Sequence, residues 1–320
     1  MDEHQVIDRL RKIATHPGAN GLNDDAAVLG DFILTHDSIA EGVHFLATDP
    51  PASVGWKLVA VNLWDLAAKG AEPEAALLSL AISEDDVWDS AFLDGIEAAC
   101  ESYALPLIGG DTIALAAGVP RVLGLTAIGR AGARVPLRSG GKAGDRLWLV
   151  GPVGDSAAGL AQLVDDPKAI GPLVDIYRRP VPQLAVGQVL AQHAHAMMDI
   201  SDGLLLDATR LAQASGLSAT IDLEAVPLSD AFIAARGKDV DARLFAATGG
   251  DDYALLAALP ADLDPLSLPL PPKTIIQCVG TLAAAGRPLS LTSGGSPVPL
   301  PEHLGHEHRG NFASPMADRH

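Results

Sequence analysis

The chain predicts an α/β fold in two domains, and three observations carry that prediction. Apolar strands and amphipathic helices alternate through the first half, from Phe32-Ile33-Leu34 to the apolar run at 119–128. A Gly-rich stretch, Arg138-Ser139-Gly140-Gly141-Lys142-Ala143-Gly144-Asp145, interrupts the pattern and reads as a linker. The 320 residues are many for a single core, and a 48% hydrophobic, 19% charged composition marks a packed chain. The division expected is an N-terminal domain of residues 1–135 and a C-terminal domain of residues 136–320, with a partly ordered tail after Pro301.

Val6, Ile7, Leu10 and Ile13 stand at helical spacing, so residues 4–15 predict a first helix. A Gly/Asn/Asp loop over 18–25 leads to a short strand at 26–29. Gly30-Asp31 turns it back into a strand at 32–36, a hairpin. After a loop over 41–51, Pro51 or Ala52 opens a long apolar helix that Gly70 closes. A strand at 75–82, a helix from Asp85-Asp86 to about Tyr103 and a short strand at 105–108 follow. That last strand is expected to end in a turn, Gly109-Gly110-Asp111-Thr112, before a strand at 119–128. Beyond the linker the pattern gives strands at 146–150, 196–200, 218–222 and 253–258. Helices fall at 156–165, 181–192, 204–215 and 229–235, and the Pro-rich run 263–272 reads as an exposed loop.

The polar residues that break this apolar pattern point to a site. Asp65 lies inside the apolar helix, with Asn62 one turn before it and Lys69 one turn after. A carboxylate there is costly to bury unless positive charge meets it. Asp37, Asp65 and the pair Asp24-Asp25 therefore point to a shared cation, and carboxylate oxygens suit Mg²⁺. The theme recurs where apolar strands end in Asp: at GGDT over 109–112, DISDG over 199–203 and GGDD over 249–252. Strand ends gather ligand groups in α/β folds, and glycines let backbone approach phosphate. Gly-Asp pairs are also ordinary turn formers, and a helix N-cap would account for Asp85 or Asp202. No Walker A or GxGxxG pattern is present, so nucleotide binding would need another route.

Composition excludes several classes. Twenty-two basic residues against forty acidic ones give a net charge of −18, which opposes nucleic acid or an anionic membrane as partner. Cys100 and Cys278 form no metal spacing and read as buried thiols of a reducing compartment. With no apolar signal core and no run long enough to span a bilayer, the expected location is the cytoplasm. His303, His306 and His308 fit a solvated tail better than a transition-metal site.

Ordered blocks of sequence now carry a specific resemblance. NDDAAVL at 23–29, THDSIAEGVHF at 35–45, AVNLWDLAAKGAEP at 60–73 and IGGDT at 108–112 are similar to thiamine-monophosphate kinases. LRSGGKAGD at 137–145, GDSAAGL at 154–160, DISDGLLLD at 199–207 and TGGDDYALL at 248–256 continue the match. The resemblance implies the two-domain fold of aminoimidazole ribonucleotide and selenophosphate synthetases, whose N-terminal sheets pair in a homodimer. It implies several Mg²⁺ ions on Asp25, Thr35, Asp37, Asp65, Asp111, Asp199 and Asp202. Gly110, Asp111, Arg138 and Ser201 would contact ATP, the co-substrate. His44, Asp251 and His306 would contact thiamine phosphate, with His306 where the family has an aromatic. Asn23 replaces a usual Gly, His36 a usual Thr and Asp251 a usual Glu.

The activity implied is ATP-dependent phosphorylation of thiamine phosphate, by direct attack and with no general base. Another ATP-dependent synthetase of the superfamily and a non-catalytic nucleotide or Mg²⁺ sensor are the alternatives. The absence of any Cys before position 100 counts against a selenophosphate synthetase.

Overall fold

The computed structural model describes residues 3–306. Its first half runs α1 (Glu3–Arg11), β1 (Ala27–Leu29), β2 (Phe32–Ala40), α2 (Pro51–Ala68), β3 (Glu72–Ile82), α3 (Asp86–Ser102), β4 (Leu107–Ala114) and β5 (Val122–Arg130). These strands form one sheet in the order β1-β2-β5-β3-β4. The expected hairpin is present, with Ala27 opposite Leu34, and the β3–β4 pair is parallel in an otherwise antiparallel sheet.

The second half runs β6 (Arg146–Val150), α4 (Asp155–Asp165), α5 (Pro172–Arg178), α6 (Leu184–Ala191), β7 (Ala196–Ile200), α7 (Leu204–Ala214) and β8 (Ser218–Asp222). It continues with α8 (Asp230–Arg236), α9 (Val240–Thr248), β9 (Ala254–Leu259), β10 (Ile276–Ala283), β11 (Leu289–Ser293) and β12 (Ser296–Val298). Its seven strands are ordered β12-β11-β8-β10-β6-β9-β7. The result is the mixed α/β architecture in two sheets that the strand–helix alternation predicts.

Helix α2 is the piece both halves share. Pro51 stands at its first turn, and fifteen of its residues, from Ser53 to Ala68, are buried. A helix apolar on every side must be enclosed on every side. It packs on α3, β2 and β5 of its own half and on α6, β7 and β9 of the other. Gly187 of α6 allows the closest approach, since a Cβ there would lie 2.1 Å from the Ala67 carbonyl oxygen. Two further ties cross the same boundary: Arg178 Nε donates to Asp49 at 2.8 Å, and Trp56 Nε1 donates to the Pro180 carbonyl at 2.9 Å.

Several expectations change. Helix α1 ends at Arg11 rather than 15, and β2 runs on to Ala40, placing Asp37 within the strand rather than after it. Gly109-Gly110-Asp111-Thr112 is not a turn but the body of β4, paired in register with β3 so that Ser79 faces Asp111. Gly110 is required there by contact: φ is +153°, and a Cβ would sit 1.9 Å from the Leu78 carbonyl oxygen. Asp85 caps α3 by accepting from Trp88 N, as its position predicts. At α7 the amides are served by Asp207, which accepts from Asp202 N and Gly203 N, so Asp202 is not the cap. Helices α5 and α9 and strands β10–β12 are additions, and both cysteines are half-buried rather than buried. No described helix is long and apolar enough to cross a membrane.

Candidate active site

Because α2 is enclosed, each polar side chain on it must find a partner inside the molecule. Asn62, Asp65 and Lys69 share one face by their i, i+3, i+7 spacing. Asn62 Oδ1 accepts from the Asp37 backbone N at 2.9 Å and fixes β2 at that residue. Asp65 accepts from the Thr35 hydroxyl. Lys69 is 1% exposed, and its ammonium lies 2.5 Å from Asp24 Oδ1 and 2.7 Å from Asp25 Oδ2. Arg138, from the expected linker, also pairs with Asp25.

Asp25, Asp65 and Arg138 of this cluster open onto a cavity of about 600 Å³. Asp25, Asp37, Asp65 and Arg138 line it from the first half and the linker. Asp199, Ser201 and Asp202 line it from the end of β7. His44, Tyr177, Asp251 and Tyr253 stand among the remaining lining residues, with Ile7 and Arg11 from α1. His306 lines it too, with its backbone N donating to the Asp202 carbonyl at 2.8 Å. The segment after Pro301 thus reaches the site. His308 lies outside the described residues.

Ten of the thirteen residues singled out from sequence therefore share one cavity, and Thr35 joins them through Asp65. Gly110 and Asp111 do not. They lie exposed on β4, three strand spacings from β2, or about 14 Å. Sequence reading missed Arg210, which pairs with both Asp202 and Asp207. Its signal was present, one turn after Asp207 on the face of α7 that follows the DISDG strand end.

The carboxylates strain against one another. Burial raises the pKa of Asp65 well above the carboxylate range, and Asp37, Asp199 and Asp25 push it further. Asp199 is raised in the same way, by burial first and then by Asp25, Asp207 and Asp37. Asp37 is raised by burial, against the pull of His36. Burial would also raise Asp25, but Lys69 and Arg138 hold it below its ordinary value.

Among the described residues no three His, Cys, Asp or Glu side chains already converge to hold a metal ion. Side-chain rotation would be needed to bring them together. The donor set nonetheless fits Mg²⁺ in kind and charge: hard oxygens of Asp37, Asp65 and Asp199 line the same cavity, and a divalent cation relieves their repulsion. Mg²⁺ is accordingly expected to raise the melting temperature. The sign with pH follows from the raised pKa values, since protons occupy these groups as pH falls and compete with the metal. The increment measured by thermal unfolding with and without chelator is expected to be larger at pH 8 than at pH 5. An increment independent of pH would contradict the assignment.

Comparison with known proteins decides the family. Residues 23–131 match the N-terminal domain model of AIR synthase related proteins, and residues 142–262 match the C-terminal one. The thiamine-monophosphate kinase of Salmonella typhimurium is 35% identical over 314 residues, covering 92% of each chain. That of Caulobacter vibrioides is 38% identical over 271 residues, covering 80% of this chain and 76% of the relative. The chain belongs to the thiamine-monophosphate kinase family. A solved structure described as AaThiL complexed with AMPPCP and TMP superimposes with a TM-score of 0.82 at 30% identity, covering 96% of this chain and 97% of the other.

The residues that depart from the family's usual pattern have local partners here. Asn23 lines the cavity and accepts from Arg11 at 2.6 Å, which ties α1 to the loop carrying Asp24 and Asp25. His36 bonds Thr126 Oγ1 across the β2–β5 pair at 2.9 Å and does not line the cavity. Asp251, one methylene shorter than Glu, adopts a positive φ of 72° and is held by Lys57 at 2.5 Å.

Proposed function

We propose that this chain transfers the γ-phosphoryl group of ATP to thiamine phosphate, giving thiamine diphosphate and ADP. The observation that carries the reading is the cavity itself. Asp25, Asp37, Asp65, Asp199, Asp202 and Arg138 line the same space as His44, Asp251 and His306, so the groups read as nucleotide and metal contacts and those read as acceptor contacts share one cavity. Family membership and the structural match to a complex with an ATP analogue and TMP support the same assignment.

In this reading an oxygen of the acceptor phosphate attacks the γ-phosphorus, and the bond to the β–γ bridging oxygen breaks. The attacking phosphate is already anionic near neutral pH, so no side chain needs to take a proton. Mg²⁺, held by residues among Asp25, Thr35, Asp37, Asp65, Asp111, Asp199 and Asp202, would neutralise the phosphate charge. Arg138 and Ser201 would hold the nucleotide, while His44, Asp251 and His306 would orient the acceptor.

The same reading makes residues 1–135 an ATP/Mg-binding and dimerisation domain and residues 136–320 a second α/β domain. A homodimer through β4 is supported by its exposed outer edge and by exposed Ile108 and Ile113. It would also give Gly110 and Asp111, remote from their own chain's cavity, a route to a nucleotide. Use of ATP supports a cytoplasmic location.

The test is a chromatographic assay with ATP and Mg²⁺, offering thiamine phosphate or unphosphorylated thiamine as acceptor. Thiamine diphosphate from the first and no product from the second is the expected result. ATP binding without transfer to either would overturn the reading in favour of a nucleotide sensor.

A further inference from the structure

Lys57 is a buried lysine that the phosphoryl-transfer chemistry does not use. It lies on α2, two turns before Asp65, and is 2% exposed. An ammonium at that depth must spend its charge on something nearby. Its Nζ donates to Asp251 Oδ2 at 2.5 Å and to the His44 carbonyl at 3.0 Å, and it lies 4.1 Å from the centroid of the Tyr177 ring. All three partners line the cavity. The residues it joins are far apart in sequence, and Asp251 comes from the opposite half of the chain.

Asp251 needs that hold. It and Tyr253 are non-glycine residues at positive φ, 72° and 51°, a conformation that persists only where the surroundings fix it. The backbone of the turn is tied to the end of β7: Asp251 N donates to the Ser201 carbonyl at 2.7 Å and Tyr253 N to the Ile200 carbonyl at 2.9 Å. Its carboxylate accepts in addition from the Ser156 hydroxyl at 3.3 Å and is hydrogen-bonded to the Tyr253 side chain. Lys57 contributes the salt bridge to this carboxylate, and does so from a helix that cannot move without moving Asp65. One helix thus carries both Asp65 and the cation that holds the Asp251 carboxylate.

We propose that Lys57 is a positioning residue for the acceptor, held in place by the His44 carbonyl and the Tyr177 ring and acting through Asp251. The inference rests on the reading of Asp251 as an acceptor contact, made above. It implies that affinity for thiamine phosphate depends on a residue outside the substrate's own contacts, while affinity for ATP does not.

The test compares Lys57→Met, Asp251→Asn and the double variant by steady-state kinetics, varying each substrate in turn, with melting temperatures alongside. Lys57→Met is expected to raise KM for thiamine phosphate about tenfold or more and to shift KM for ATP by less than about twofold. The double variant carries no unpaired buried charge, so it stays informative even where Lys57→Met folds poorly. Its KM for thiamine phosphate is expected to match that of Asp251→Asn, because Lys57 acts through that carboxylate. An equal rise in both KM values would overturn the proposal, as would a loss of melting temperature with both KM values intact. If Asp251→Asn itself leaves KM for thiamine phosphate unchanged, the reading of Asp251 fails and the proposal with it. If Asp251→Asn raises that KM and Lys57→Met does not, the positioning role alone fails.

Discussion

Asp65→Asn is expected to lower turnover by about 10²–10³-fold, the scale for losing one fixed charge at a phosphoryl-transfer site. It is expected to leave the metal-free fold as stable as before, or more so. Burial and the neighbouring carboxylates raise the pKa of Asp65, so its charged form costs the folded state free energy at neutral pH. The amide removes that cost and can still accept from the Thr35 hydroxyl. Loss of activity with gain of stability is the signature of a group kept for function. Wild-type turnover at saturating Mg²⁺ would remove Asp65 from the site.

Lys69→Met is expected to do the reverse and to cost stability first. Burial opposes the charge on Lys69, yet Asp25 and Asp24 hold its pKa above the ordinary value. Its ammonium also lies 3.2 Å from the Met197 carbonyl and 3.4 Å from that of Pro136, so it ties loop, linker and β7 together. Methionine fills the same volume but leaves Asp24 without this cation and Asp25 with Arg138. Removing one partner of a buried pair costs roughly 3–5 kcal/mol, and urea unfolding without Mg²⁺ measures it. A loss below about 1 kcal/mol, the range of an exposed pair, would show that the lysine is not needed to neutralise these carboxylates.

Much of this is legible in the sequence, because the strongest signal is a contradiction. Asp65 in a helix with no polar face announced a site, and the enclosed α2 shows why the contradiction is real. The strands at 146–150 and 196–200 match residue for residue, since short, mostly apolar runs between turn residues leave little freedom. Strands β10–β12 were not seen: β11 and β12 lie among Gly, Ser and Pro, and in β10 the alternation breaks where its register shifts between Cys278 and Gly280. GGDT was misread because Gly-Asp marks a turn unless a neighbouring strand claims it, and β3 does so over long range. The ion pairs were beyond reach for the same reason. Asp24 and Lys69 are 45 residues apart, Asp25 and Arg138 are 113, and Lys57 and Asp251 are 194. No local pattern encodes such pairings: Lys69 stands out as a charge beside an apolar helix, but its partners lie in polar loops and Lys57 carries no mark of its own.

The central claim is direct transfer between two phosphates in one cavity. Phosphorus NMR of the protein with ATP, Mg²⁺ and thiamine phosphate tests it most directly. The account predicts that the acceptor's monophosphate resonance is replaced by a diphosphate pair, in step with ADP and without free phosphate. ADP and inorganic phosphate appearing together, with the acceptor resonance unchanged, would contradict it.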